Sequence, residues 1–326
     1  MAIVQRFNYY RRLFPAYLGR QKSQLTFWHD VPEVNERCPW TTLGEYYMPF
    51  TAKADYAGAY DSAGVPLLDY RGRIGRQYNP IAIAQYGLGN YNAYCRTQSA
   101  EREEKWRAAA DWLVKNLERN HAGLWVWQHH FDWEYRTTLR APWYSGLAQG
   151  QGISLLVRAH RQTGEDKYRE AAERALMAFF AKVEIGGVVF QDRAGNDWFE
   201  EYIVAPPTHI LNGFIWASWG VYDYFLATGD RRAQRLFDRA VQTLAQNLHQ
   251  FDAGFWSLYE QSGTWMKMLA SPFYHSLHIV QLEVLYRLTG HEVFKRFAIR
   301  WHGYRKSRSR RTAALSYKIV FKLCYY

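Results

Sequence analysis

Cysteine is scarce: Cys38, Cys95 and Cys324 are the only three in 326 residues. An odd number of widely spaced thiols argues against a disulfide scaffold and against a cysteine metal site, and a reducing cytoplasm is the expected compartment. Long apolar runs are missing too. No stretch approaches the roughly 20 residues of a membrane span, and the opening MAIVQRFNYYRRLFPAYLG has no apolar core of a secretory signal. There is no GxGxxG, no Walker loop and no GxSxG elbow, which disfavours nucleotide binding and serine hydrolysis. Acidic residues are absent from 302–326, where Arg305, Lys306, Arg308, Arg310, Arg311, Lys318 and Lys322 fall. Setting those seven aside leaves 34 basic against 30 acidic residues, so most of the net charge of +11 belongs to the tail. A basic excess outside the aromatic-rich body argues against nucleic-acid binding. The tail itself is either a solvated, partly disordered segment or a contact for an acidic polymer or membrane headgroups.

What the chain has in abundance is aromatic surface. Trp, Tyr and Phe make up 17% of the residues, with 14 Trp and 25 Tyr. Such rings stack on the C–H faces of sugars while Tyr and Trp keep a polar handle for hydroxyls; they also fill ordinary cores. With 48% hydrophobic residues, a large core is within reach.

A repeat of about 65 residues organises the chain. Thr163-Gly164 recurs as Thr228-Gly229 and Thr289-Gly290, each between an apolar helical stretch and a charged amphipathic one; an earlier copy around Arg96-Thr97-Gln98 lacks the glycine. The glycine suits the left-handed residue that ends a helix. Connectors repeat as well, with Gly123, Gly187 and Gly254 each opening a short β-like run. The expected fold is all-α: an (α/α) toroid of about four helical hairpins, approximately an (α/α)4 barrel, with apolar inner helices, amphipathic outer ones and short β-like connectors at the mouth. An open solenoid is the alternative. Residues 1–75 read as an N-terminal arm and loops packing on the ring, 76–302 as the toroid, and 303–326 as a basic tail.

Polar and aromatic residues concentrate in the connectors. Glu200-Glu201-Tyr202 precedes one inner helix and Tyr274-His275-Ser276-Leu277-His278 opens another, while Trp143, Tyr144, Gln149 and Gln151 stand near a third. Each has a plain alternative. Glu200 and Glu201 fit one exposed carboxylate and one helix cap. His275 and His278, three apart, lack a third ligand at a convincing spacing, so structural or substrate-facing histidines are expected rather than a metal pair. Aromatic runs at 143–144 and 216–219 suit a core.

Several motifs taken together resemble the D-glucuronyl C5-epimerase family over about 66–301. They are Ile83-Ala84-Gln85-Tyr86-Gly87-Leu88; Trp143-Tyr144-Ser145 with Ala148-Gln149-Gly150-Gln151; Glu201-Tyr202 with Leu211-Asn212-Gly213-Phe214; and Tyr274-His275 with His278-Ile279 and Gln281-Leu282. The resemblance implies a helical toroid that converts D-glucuronate to L-iduronate inside heparan- or heparosan-type chains by removing the C5 proton and returning one on the opposite face. It implies Tyr202 with Glu201, and Tyr274, as the opposite-face acid and base, and Tyr259 as a further tyrosine of the site. Asn212, His275 and His278 are implied as holders of carboxylate or hydroxyls. Tyr86, Tyr144, Gln149 and Gln151 are expected substrate contacts, and so is Tyr78, whose family pattern is offset by one residue. The chain departs from the pattern after Tyr259, where Glu260-Gln261-Ser262 replaces a basic segment, at Phe273, and in the shorter stretch between Tyr259 and Tyr274.

No cofactor and no metal are expected for this chemistry. The expected partner is a glucuronate-containing polysaccharide; a peripheral contact of the tail with the inner membrane face, and a homodimer, are further partners considered. A polysaccharide lyase shares C5 proton abstraction, and a glycoside hydrolase would need two opposed carboxylates drawn from Asp132, Glu134 and Glu201. A non-catalytic glycan-binding protein is the reading from a different class.

Overall fold

The computed structural model of the chain describes residues 27–28, 31–70 and 72–325. They fall into two compact units, Asn35–Leu244 and a second that contains Ala245–Tyr326. That division lies inside the expected 76–302 ring, and the first part of the expected 1–75 arm, residues 1–26, lies outside the described residues.

The first unit opens with turns, a short helix α1 (Thr51–Ala54) and a small antiparallel sheet of β1 (Ala59–Tyr60), β2 (Pro66–Asp69) and β3 (Arg76–Gln77). Three helical hairpins follow. They are α2 (Pro80–Thr97) with α3 (Ala100–Lys115), α4 (Gly146–Thr163) with α5 (Asp166–Leu176), and α6 (Leu211–Thr228) with α7 (Arg231–Asn247). Repeat and structure agree on which helix is inner. Every residue of α4 from Gly146 to Ala159 is buried, while α5 and α7 bury one stripe and expose the other. The second unit holds α8 (Pro272–Thr289), α9 (Glu292–Lys306) and α10 (Arg308–Tyr325).

The repeated Thr-Gly pairs end α4, α6 and α8, where Gly164, Gly229 and Gly290 have φ of 73°, 73° and 71°. Gln98 takes the same conformation (φ 53°) at the end of α2, so the copy without glycine keeps the geometry and bears the Cβ cost. The starts of three inner helices are set by side chains. Asn79 accepts from the N–H groups of Ile81 and Ala82, Ser145 from Leu147 and Ala148, and Ser271 from Tyr274.

Inner helices α4 and α6 meet backbone to backbone. A Cβ at Gly220 would stand 2.1 Å from the carbonyl oxygen of Gly150, and one at Gly150 would stand 2.5 Å from Cα of Ala217. Neither neighbour is a flexible side chain that can swing away. Gly220→Ala is therefore expected to cost about 1–3 kcal/mol through overpacking, read as a lower midpoint in urea with an unchanged slope.

The basic tail is helix, not a disordered segment. Ala314, Leu315, Lys318 and Phe321 recur at helical spacing and are buried, and Lys318 Nζ donates to the Leu269 carbonyl at 2.7 Å. The remaining positions of α10 include exposed Arg308 and Arg310, so the charge run is one face of an amphipathic helix. Among the described residues no helix is long and apolar enough to cross a membrane.

Candidate active site

In the first unit the connectors build an aromatic cluster. Strand β5 (Trp125–His129) pairs with β4 (Leu117–Arg119) and β8 (Trp143–Tyr144), and the arm β6 (Trp133–Glu134)–β7 (Thr138–Leu139) follows β5. Phe131, Leu139 and Trp143 form its buried centre, with Tyr70, Trp133, Tyr135 and Tyr202 packed against them. The Tyr202 ring lies 4.6 Å from Tyr135 and 5.7 Å, edge-on, from Trp143. His129, fully buried, stacks on Trp143 at 3.8 Å.

Next to Tyr202, Glu201 is only 5% exposed. Its Oε2 accepts from Asn212 Nδ2 at 3.3 Å, in the first turn of α6. A Cβ at Gly213 would fall 2.1 Å from the same oxygen. The Asn-Gly of the Leu211–Phe214 motif thus has a physical reason: asparagine holds the carboxylate, and glycine leaves room for it at the positive end of a helix. Glu200 is also buried, so neither carboxylate is the exposed one expected from sequence. It is paired with His209 Nδ1 and accepts the His209 backbone N–H at 3.2 Å. His209 stacks on Trp198 at 4.5 Å and holds a left-handed φ of 46°. Sequence reasoning missed this pair; the one available signal was a histidine following Pro206-Pro207-Thr208.

In the second unit Tyr259 and Tyr274 meet edge to face, with ring centroids 4.9 Å apart. Tyr274 sits in the first turn of α8, its N–H bonded to Ser271. Tyr259 lies on a loop whose backbone N–H donates to Met268 O at 2.8 Å. Behind them Ser257 Oγ stands 2.8 Å from His275 Nδ1 and 3.1 Å from His278 Nδ1. His275 Nε2 is 3.0 Å from the Trp301 carbonyl, which can only accept, so that nitrogen carries the proton. Its ring stacks on Trp256 at 3.8 Å.

The other expected substrate contacts are placed as follows. His275 and His278 are fully buried, and both His275 nitrogens are used by protein groups. Through Ser257 and the Trp301 carbonyl they brace the start of α8, while His278 Nε2 has no hydrogen-bond partner among the described residues. Gln149 spends its amide on backbone, accepting from Trp127 N and donating to Trp125 O and Ala175 O, so it ties a connector to two helices. Gln151 is buried against the Tyr46 hydroxyl. Tyr86 is buried beside the Tyr60 ring, 5.8 Å away. Asn212 reaches Glu201. Tyr144 is half-buried on β8, and burial raises its hydroxyl above the usual range. Tyr78 is 38% exposed, bonded to Asp61 Oδ2 at 2.8 Å, and lines a separate open cavity of about 550 Å³ with Trp112, Arg107 and Lys115. Among the described residues no group of three or more His, Cys, Asp or Glu is arranged to hold a metal.

The buried imidazoles set an acid limit. Burial lowers His129 and His275 to about 3 and His278 well below its ordinary value. An unfolded chain takes up these protons near pH 6.5, whereas the folded one does so only at much lower pH. Unfolding therefore binds protons in between, and stability falls as pH drops below about 6.5, by up to about 1.4 kcal/mol per pH unit for each histidine. Urea midpoints measured from pH 7.5 to 4.5 should decline over that window, and His129→Phe should flatten the decline.

Consecutive helical hairpins joined by connectors with short strands place the protein in the (α/α) class of folds. A solved cellobiose 2-epimerase from Spirochaeta thermophila shares the fold with a TM-score of 0.50 at 14% identity, over 76% of this chain and 64% of that one. The family model described as D-glucuronyl C5-epimerase C-terminus matches residues 119–303, more than half of the chain, and the protein belongs to that family. A D-glucuronyl C5-epimerase of Caenorhabditis elegans is 35% identical over 214 residues, covering 60% of this chain and 34% of the relative. An uncharacterized protein of Methanocaldococcus jannaschii is 29% identical over 196 residues, covering 59% and 62%. The chain thus spans about a third of the first relative and under two thirds of the second.

Proposed function

We propose that the protein is a carbohydrate epimerase that inverts C5 of D-glucuronate residues within a polysaccharide, giving L-iduronate. The observation that supports this reading most is the family match together with what stands at its motif positions: a tyrosine beside a buried, asparagine-held carboxylate in one unit and an edge-packed tyrosine pair in the other. The reaction needs such groups. A base removes the C5 proton, and the electron pair spreads into the adjoining carboxylate. An acid then delivers a proton to C5 from the other face, so the bond count and charge of the sugar are unchanged at the end. Each transfer needs a positioned side chain, and the enediolate-like intermediate needs donors or cations at its oxygens. Tyr202 with Glu201, and Tyr274 with Tyr259 packed on its ring, are the side chains we put forward for these proton transfers. Asp132 and Glu134 are less apt as hydrolytic carboxylates. Asp132 is tied to Arg140 and to the Ala141 N–H, and Glu134 takes the Thr138 hydroxyl.

The test is incubation with unsulfated glucuronate polysaccharides, heparosan first, in D₂O. Deuterium appearing at C5 by NMR, with iduronate signals, supports the reading. Release of an unsaturated product absorbing in the near ultraviolet would assign a lyase instead, and no exchange with any such polymer would overturn C5 chemistry.

A further inference from the structure

The loop between Tyr259 and Tyr274 carries a side chain that the fold does not use. Trp265 is 88% exposed, the most exposed large hydrophobic among the described residues. Leaving an indole in water forfeits the burial that other tryptophans of the chain obtain, Trp256 and Trp301 of the same unit included. The loop that presents it is stapled at its base. Leu258 bridges Leu269, Tyr259 N–H donates to Met268 O at 2.8 Å, and Ala270 N–H to Ser257 O at 2.9 Å. Its tip is braced internally: Thr264 Oγ1 donates to Met266 O at 2.7 Å and stands 3.0 Å from Ser262 Oγ. The indole is thus displayed on a defined arm rooted at Tyr259.

Two residues on, Lys267 supplies the second half of a recognition pattern. Its Nζ reaches only the Ser262 carbonyl, at 3.4 Å, and it forms no ion pair with a carboxylate among the described residues. A flat apolar ring and an unneutralised ammonium on one short arm match a pyranose that bears a carboxylate: the C–H face stacks on the ring, and the anion meets the cation. A neutral glucan would engage the ring alone.

We propose that the 258–269 arm is a uronate-binding subsite, in which Trp265 stacks on a sugar ring of the polymer and Lys267 takes its carboxylate. The proposal rests on the reading of the protein as acting on a uronate polysaccharide and adds the residues that select it. It also supplies a cation on the stretch where Glu260-Gln261-Ser262 replaces a basic segment.

The experiment is affinity electrophoresis of the full chain through gels containing heparosan or, separately, neutral dextran, for wild type, Trp265→Ala, Trp265→Phe and Lys267→Met, with C5 exchange kinetics on the same samples. Trp265→Ala should weaken retardation by heparosan about tenfold and raise KM with kcat unchanged. Trp265→Phe should keep most of the binding, and Lys267→Met should erase the preference for heparosan over dextran. Thermal midpoints of the variants should match wild type, since both side chains lie outside the core. Unchanged heparosan binding in Trp265→Ala, or an unchanged polymer preference in Lys267→Met, would overturn the subsite, as would a wild type that heparosan does not retard. Retardation that depends on Trp265 without any C5 exchange would keep the subsite and remove the epimerase.

Discussion

Tyr274→Phe is expected to lower C5 deuterium exchange by about 10²–10⁴-fold, the usual weight of one positioned proton-transfer group. The substitution removes a hydroxyl and keeps the ring, so the edge contact with Tyr259 remains and the protein should fold normally. With Tyr274 in the proposed proton-transfer role, kcat should fall with KM nearly unchanged. Tyr202→Phe should be comparably damaging, since its ring likewise keeps the packing against Tyr135 and Trp143. A useful contrast is Tyr259→Phe. Discharge of tritium or deuterium from C5-labelled polymer into water separates abstraction from return. A variant that lacks only the returning acid still releases label, and one that lacks the base does not. Full exchange in both Tyr202→Phe and Tyr274→Phe would remove tyrosines from the chemistry.

The second large effect is on stability. Arg158 on α4 and Asp223 on α6 form an ion pair whose side chains are 1% and 0% exposed, with Nη1 to Oδ2 at 2.6 Å and Nη2 to Oδ1 at 3.1 Å. The Tyr47 hydroxyl adds a bond to Asp223 at 2.7 Å, and Arg158 also donates to the Gly44 and Ser154 carbonyls. The guanidinium lies 5.1 Å from the Tyr46 ring centroid. Asp223→Ala leaves this cation buried without its anion, and about 3–5 kcal/mol of destabilisation is expected. The double change Arg158→Leu with Asp223→Leu removes both charges and should cost much less than the sum of the single changes. Chemical denaturation of the four proteins closes the cycle. Equal losses in single and double variants would mean that the cost comes from packing and not from the stranded charge.

Much of this fold can be read from sequence because it repeats. The Thr-Gly pairs mark three inner-helix ends, and the contrast of α4 with α5 in polarity marks which is inside. Tail helix α10 was harder to read. Its buried positions 314, 315, 318 and 321 are spaced correctly, but one is a lysine, whose buried bond to a carbonyl no local pattern announces. The site divides in the same way. Motifs point to Glu201, Tyr202, Tyr259 and Tyr274, and the structure places these in connectors or, for Tyr274, in the first turn of a helix. They also point to Gln149, His275 and His278, whose side chains bond to protein groups in the structure, because a polar side chain on an inner helix looks the same in a string whether it meets a ligand or a backbone carbonyl. The Glu200–His209 pair depends on a left-handed backbone at His209, which neighbouring residues do not dictate.

Inner helices that fix their own first turn, through Asn79, Ser145 and Ser271, divide the labour between scaffold and surface. The helix start is set within four residues, so the length of the connector before it carries little structural information. Evolution can then lengthen, trim or replace a connector as a cassette, and so can a protein engineer. The arm before Ser271 is the natural place to begin: a Cβ at Gly263 would meet nothing within 4 Å, so new residues there have free space to occupy. For the proposed polymer substrate, a change of specificity would amount to a loop exchange, made without renegotiating the core.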